Sequence, residues 1–295
     1  MRVTQSVIAE MLKSDIQRNL KRLRESQEMI SSGKRILRPS DDPAAAERLI
    51  GYKVDLSRSE QILKNIDNAL ALLNTSDSIL ADAENLVSKA REIAVEMASD
   101  TVNPQDRLHA ADEIRQIKEQ LVQMANTSLA GQHIFGGTKT TERPYEISDG
   151  QVIYKGNSDA VLRQIGLNET IQVNVPGDEI FGDGEKGLFK RLSDLERALT
   201  SNDIERIRDA ADGLKSSHEA ILSARAKIGG YSRRALSAKS SIEGLRDQLE
   251  RMISQVEDAD IVEAAIQLAR DDNAYKASLL AAAKLLQSSL LDFLG

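Results

Sequence analysis

Apolar residues recur every three or four positions through the start of the chain. Ile8, Leu12, Ile16, Leu20, Leu23 and Ile30 fall on one helical stripe. Gly33 stands just past it, where a left-handed cap can end a helix. Pro39 and Pro43 then rule out uninterrupted helix. Ser40, Asp41 or Asp42 can cap a new helix, with Pro43 in its first turn and Ala44, Ala45 and Ala46 propagating it. The helical period continues to about residue 130: Ile62, Ile66, Leu70 and Leu73 form one stripe, and Leu80, Leu86, Ile93 and Met97 extend the pattern. A helix over 44–99 would be roughly 84 Å long, a rod-like element. Asn103 and Pro104 mark a break within 100–106, and a third helix should follow through about Ala125.

The texture changes between residues 131 and 187, which hold ten of the 17 glycines. Tyr145 and Ile147, then Val152 and Tyr154, flank Asp149-Gly150, a strong hairpin signal. Ile171, Val173 and Val175 alternate with Gln172 and Asn174, as in a half-buried strand. A small β-rich insert is expected here, with a long ordered loop as the alternative. Helical patterning resumes by about Leu188 and runs to the end, with no proline after Pro176. Leu245, Leu249, Met252 and Val256 make a 4-3-4 seam; Tyr275, Leu279, Ala282 and Leu286 continue a comparable one, with Leu290 and Phe293 beyond. Gly229-Gly230 can mark a bend or helix junction.

The expected fold is therefore mainly α: an elongated antiparallel helical rod or coiled coil formed by both chain arms, with a small β-rich inserted domain. Residues 1–42 and 262–295 are expected to form terminal assembly helices. Residues 43–130 and 188–261 would make the rod, and 131–187 the insert.

Composition agrees with this picture. Of the 295 residues, 41% are hydrophobic but only 3% aromatic, which favours aliphatic helix packing over a thick aromatic core. The absence of cysteine excludes disulfides, thiol catalysis and cysteine-ligated metals. A net charge of −7 gives no support for nucleic-acid binding. Charge is unevenly placed. Residues 1–38 carry nine Lys/Arg and four Asp/Glu (+5), whereas residues 241–295 carry five and ten (−5), so the two ends can attract. Exposed ion pairs contribute only about 0–1 kcal/mol each, so apolar seams must dominate the packing. No run approaches the roughly 20 apolar residues that span a bilayer, so no membrane insertion is expected. Charges interrupt every apolar run of the first 30 residues, so no cleaved secretory leader is expected either.

Candidate chemistry is sparse. His218-Glu219 begins like a zinc-peptidase helix, but Leu222 occupies the second histidine position. Asp178, Glu179, Asp183 and Glu185 make an acidic turn without EF-hand order, read as solvated. Asp41-Asp42 and Asp271-Asp272 are better explained by capping and surface charge than by catalysis. No P-loop or dinucleotide signature occurs. The chain reads as a non-enzyme without cofactor or metal.

The tract ISSGKRILRPSDDPA resembles a signature near the N-terminus of bacterial flagellins and flagellin-like hook-associated proteins; Ser31, Ser32, Gly33, Pro39, Ser40, Asp41, Asp42 and Pro43 form its turn. LVSKAREIAVEMASDTVNPQDR (86–107) is similar to the next helix and turn of that family, and the segment from VEDADIVEAAIQLARDDNAYKASLL to the end resembles its C-terminal helix. ANTSLAGQHIFGGTKTTERPYEI, YKGNSDAVLRQIGLNETIQVNVPGDEIFG and the ending SLLDFL resemble the hook-associated protein 3 family more than filament flagellin.

The resemblance implies a structural subunit of the extracellular flagellum at the hook–filament junction, contacting the preceding hook-associated junction protein and filament flagellin. It also implies unfolded export by the flagellar type III route and capture by a cytoplasmic chaperone through the C-terminal helix. Physical reasoning adds a mechanism: an apolar strip on a terminal helix stays poorly ordered until neighbouring copies bury it. Ile8, Leu12, Ile16, Leu20, Leu23 and Ile30, with Leu279, Leu286, Leu290 and Phe293, are the expected assembly residues; ordinary intrachain packing is the competing role. A filament flagellin is the nearest alternative. An intracellular coiled-coil scaffold is another, with Lys13, Arg18, Lys21, Arg22 and Arg24 facing a membrane or polyanion.

Overall fold

A computed structural model describes residues 2–148 and 151–294; the side chains of residues 2–6, 185 and 285–294 lie outside the described part, as does the turn pair Asp149-Gly150. In chain order the elements are α1 (Arg2–Ser32), α2 (Pro43–Met97), α3 (Pro104–Ala125), β1 (Ser128–Leu129), β2 (Gln132–His133), β3 (Tyr145–Ser148), β4 (Gln151–Tyr154), β5 (Leu162–Gln164), β6 (Thr170–Gln172), α4 (Gly177–Ile180), a 3-10 turn (Gly184–Lys186), α5 (Leu188–Thr200), α6 (Ile204–Glu257) and α7 (Ile261–Leu294). The fold is mainly helical with small antiparallel strand pairs, as the patterning predicts. The chain divides into two compact units. One, the terminal unit, joins residues 1–58 to 245–295; the other is residues 59–244.

In the central unit α2 and α6 run antiparallel. Asp67 pairs with Lys239 (2.7 Å), and Asp77 and Glu84 pair with Arg225 (3.0 and 2.6 Å). The buried line of α2 here is Leu80, Ala83, Val87, Ala90, Ala94 and Met97. Leu86 and Ile93, expected on that line, flank it half-buried. The start of α3 obeys its cap chemistry: Asn103 accepts from the Asp106 N–H (2.9 Å), with Pro104 in the first turn.

The β-rich interval consists of separate two-stranded ladders packed on helices, not one sheet. β3 and β4 pair with Tyr145 opposite Tyr154 and Ile147 opposite Val152, as expected for the hairpin. Five of the chain's nine aromatics, Phe135, Tyr145, Tyr154, Phe181 and Phe189, gather here with ring centroids 5.0–5.9 Å apart. A low aromatic content thus conceals one local aromatic core. The strand expected over 171–175 ends at Gln172. Beyond it the Asn174 side chain replaces the ladder, accepting from Val161 N–H (2.8 Å) and donating to the Asp159 carbonyl (3.0 Å).

Helix does not run unbroken from Leu188 to the end. It stops at 201–203 and again at 258–260, where no proline or glycine marks a break. Asn202 adopts a left-handed φ of 54°, Asp203 caps α6 through the Arg206 N–H, and Asp260 caps α7 through the Val262 N–H (2.9 Å). The Gly229-Gly230 pair, by contrast, lies inside continuous α6. Buried Arg107 secures two turns of the central unit: its guanidinium donates to the Met97 and Ser99 carbonyls (3.0 and 2.7 Å), at the C-terminal end of α2, and to the Asn202 side chain.

Candidate assembly surface

α1 and α7 pack together in the terminal unit. Their direction follows from three contacts: Lys34 bridges Asp258, Ser26 bonds Asp271, and Asn19 reaches the Ala274 carbonyl (3.5 Å). As numbers fall on one strand of the pair they rise on the other, so the helices are antiparallel. The least exposed residues on α1 are Leu12, Ile16, Asn19, Leu20, Leu23, Ser26, Met29 and Ile30. On α7 they include Ala264, Leu268, Asp271, Tyr275, Ser278 and Ala282, a 4-3-4-3-4 spacing.

This seam is small and polar for a coiled coil. Asp271, at 5% exposure, accepts from the Ser26 hydroxyl (2.7 Å) and the Gln267 amide (3.2 Å). The expectation that Asp271 is surface charge is therefore corrected: it sits at a core position of the heptad, and that phase is the signal that could have identified it. Asp272 behaves as expected, pairing with Lys276 on the outside (2.6 Å).

The expected assembly residues separate. Leu23 is buried, and Leu12, Ile16, Leu20 and Ile30 are half-buried in the intrachain seam. Ile8 and Leu279 stay outside it, 45% and 42% exposed. The side chains of Leu286, Leu290 and Phe293 lie outside the described residues. Large apolar residues that the seam leaves outward include Val7 and Met11 on α1, and Val262 (71% exposed), Ile266 and Leu280 on α7.

The turn between α1 and α2 is built as its residues dictate. Gly33 takes φ +70° and returns its N–H to the Met29 carbonyl (2.9 Å). The Ser32 hydroxyl donates to the Glu28 carbonyl (2.7 Å) and accepts from Lys34 N–H (3.2 Å), while Ser31 and Pro39 are exposed. Asp41 folds back to accept from the Arg38 and Leu37 N–H groups (2.8 and 3.1 Å), and Ser40 contacts its other oxygen. Those bonds, the Arg38 one foremost, hold the Asp41 carboxyl below its ordinary value. Asp42 is the cap, accepting from Ala45 N–H (3.0 Å) ahead of Pro43.

Sequence reasoning missed the group that ties this turn to the rest. Glu257, the last residue of α6, is 6% exposed, and one carboxylate oxygen accepts from both Lys34 (2.7 Å) and Lys53 (2.9 Å). Burial pushes its pKa up, but the hydrogen bonds and charges of the two lysines outweigh this and leave it below the ordinary glutamate value. The Lys34 ammonium is correspondingly raised by its bond to Glu257. Among the described residues, the broad attraction between basic and acidic ends is thus concentrated at Lys34–Glu257. Arg18, Lys21 and Arg38 are instead satisfied locally by Asp15, Glu25 and Glu28.

Elsewhere most of the candidate polar groups have structural partners, although the Tyr145 hydroxyl and Asp178 Oδ1 are buried without a hydrogen bond. Asp178 accepts from Ser158, Asp183 caps the 3-10 turn, and Glu179 pairs with Lys227. His133 contacts the Asn126 carbonyl (2.8 Å), His218 faces Glu84 (3.7 Å) and His109 is exposed. Among the described residues no group of three or more metal-binding side chains gathers, and no helix is long and apolar enough to cross a membrane.

Comparison with known proteins agrees with this architecture. Residues 3–140 match the bacterial flagellin N-terminal helical region, and residues 212–294 match the bacterial flagellin C-terminal helical region. Flagellar hook-associated protein 3 of Salmonella typhimurium is 29% identical over 226 residues, covering 68% of this chain and 71% of that protein. A flagellin of Halalkalibacterium halodurans is 22% identical over 265 residues, covering 88% and 86%. The crystal structure of flagellar hook-associated protein 3 from Legionella pneumophila has the same fold, with a TM-score of 0.64 at 14% identity, covering 70% of this chain and 98% of that one.

Proposed function

Because the chain belongs to the bacterial flagellin family, we propose that it is the non-enzymatic axial subunit that joins the flagellar hook to the filament. Its partners are further copies of itself, the preceding hook-associated junction protein and the first filament flagellins. It reaches the extracellular junction unfolded through the flagellar type III route, and a cytoplasmic export chaperone holds its C-terminal helix beforehand. The higher identity to hook-associated protein 3 than to flagellin favours the junction over the filament. The carrying observation is the outward apolar residues of the terminal helices, above all Val262, Ile266 and Leu280, which the intrachain seam leaves unused. Contacts of the head-to-tail kind build helical arrays when the rotation does not close, and such contacts would cover these residues.

Filament flagellin is the second reading, favoured by the longer span of the flagellin match. Deleting the gene separates the two. A junction subunit leaves completed hooks that shed flagellin into the medium; a filament subunit leaves hooks with no flagellin to shed. Intact motility counts against both. In the complemented strain, Val262→Asp with Ile266→Asp should keep the purified chain folded, because both positions are exposed. Filament attachment should nevertheless be lost. If attachment survives, the outward face is not the assembly surface.

A further inference from the structure

Two backbone turns meet where α1 gives way to α2 and α6 gives way to α7. Arg35 N–H donates to the Glu257 carbonyl (2.7 Å), and Ala259 N–H donates to the Gly33 carbonyl (2.9 Å). Lys34 therefore faces Asp258 in a short antiparallel bridge. The Arg35 guanidinium adds a bond to the Val256 carbonyl (3.1 Å). This ribbon is the point from which both terminal helices depart.

A ribbon this short has little backbone preference for one register over the next. A slip by one residue would turn every side chain to the opposite face. The Glu257 side chain distinguishes the registers. Only when it stands beside Lys34 does its carboxylate lie inward, within reach of Lys53 on α2 as well. Its neighbours cannot substitute: Val256 is apolar, and the shorter Asp258 side chain is already bonded to Ser254. The lysine side chains remain 44% and 47% exposed while the carboxylate is 8% exposed, so the desolvation falls on one group. An apolar residue of similar size would fill the space without that cost. A buried ion held by two partners is instead a device for selecting one arrangement.

We infer that Glu257 is the positioning residue of the junction subunit: through Lys34 and Lys53 it locks the register of the two turns and so sets how the α1–α7 pair is presented to neighbouring copies. This rests on the junction reading given above. The lock is a specificity device, and its charge pattern, not its shape, is what matters.

The test uses the full chain with Glu257→Gln, Glu257→Lys, and the inverted set Glu257→Lys with Lys34→Glu and Lys53→Glu. Amide exchange is followed at residues 33–38 and 257–260, with α3 and α5 as internal reference. Filament attachment is scored in the deletion strain. Glu257→Gln should accelerate exchange in the two turns by tenfold or more, leave α3 and α5 unchanged, and lower the fraction of cells that hold filaments under shear. Glu257→Lys should abolish attachment, and the inverted set should restore both readouts at least half-way. Wild-type exchange and attachment in Glu257→Gln and Glu257→Lys would overturn the inference. So would loosened turns with full attachment, or an inverted set no better than Glu257→Lys. In those three cases the wild-type gene still restores filaments, and the junction reading stands. Failure of the wild-type gene to do so sinks both.

Discussion

The two units of this chain bury different things. The central unit encloses fully buried Leu73, Leu80, Ile114, Leu121 and Leu192 and an aromatic cluster. The terminal pair encloses Ser26 and Asp271 beside Leu23 and Ala264, and leaves Ile8, Val262, Ile266 and Leu280 in solvent. Hydrophobic burial scales with apolar area removed from water, at about 25 cal/mol per Å², so the first unit draws the larger apolar contribution to its stability.

The largest way to break that contrast is at the aromatic cluster. Phe181→Ala should lower the stability of the central unit by about 3–5 kcal/mol, read from urea unfolding. A change below 1 kcal/mol would mean that the cluster contributes little there. Arg107→Met should cost about 1–3 kcal/mol, because the Met97 carbonyl, on a buried residue, and the Ser99 carbonyl lose their donor. Both losses should leave a fluorophore at Ala277→Cys on α7 reporting an unchanged terminal transition; a coupled transition would merge the two units energetically.

Acid should act the other way round. Glu257 is held below its ordinary value in the folded chain, so its contribution is complete above the unfolded value of about 4.3. That contribution is lost as pH falls through the lower folded value. The α7 reporter should therefore show stability falling below about pH 4, and Glu257→Gln should flatten that dependence. An equal slope in the variant would assign the effect to other carboxylates.

The smallest effects concern helix glycines. A methyl group at Gly51, Gly230 or Gly244 would meet nothing within 4 Å. Each Gly→Ala change should stabilise its unit by up to about 1 kcal/mol, seen as a raised melting temperature. Destabilisation at any of them would reveal a bend that these positions need.

Much of this was legible beforehand. Gly33, Asp42 and Pro43 mark the first turn through their own backbone chemistry, and the hairpin of β3 and β4 follows from alternation around Asp149-Gly150. The breaks after Thr200 and Glu257 were not, because Asn and Asp caps are quieter signals than proline or glycine. Apolar spacing alone puts Leu279 in the α7 seam, since leucine is the larger residue. The structure places Ser278 and Asp271 inside, where small and bonded groups let the helices approach.

From the order of residues alone came the helices, their main caps, the β-rich interval and the kinship with flagellins. All of these depend on interactions within a few positions or on the wording of the chain. Folding in three dimensions decided which face of α7 turns inward, and which cations meet Glu257. Lys34 lies 223 residues away in the chain, and Ser26 lies 245 from Asp271. Local periodicity carries no record of such distant partners, and α7 is apolar enough on two faces that only packing could choose between them.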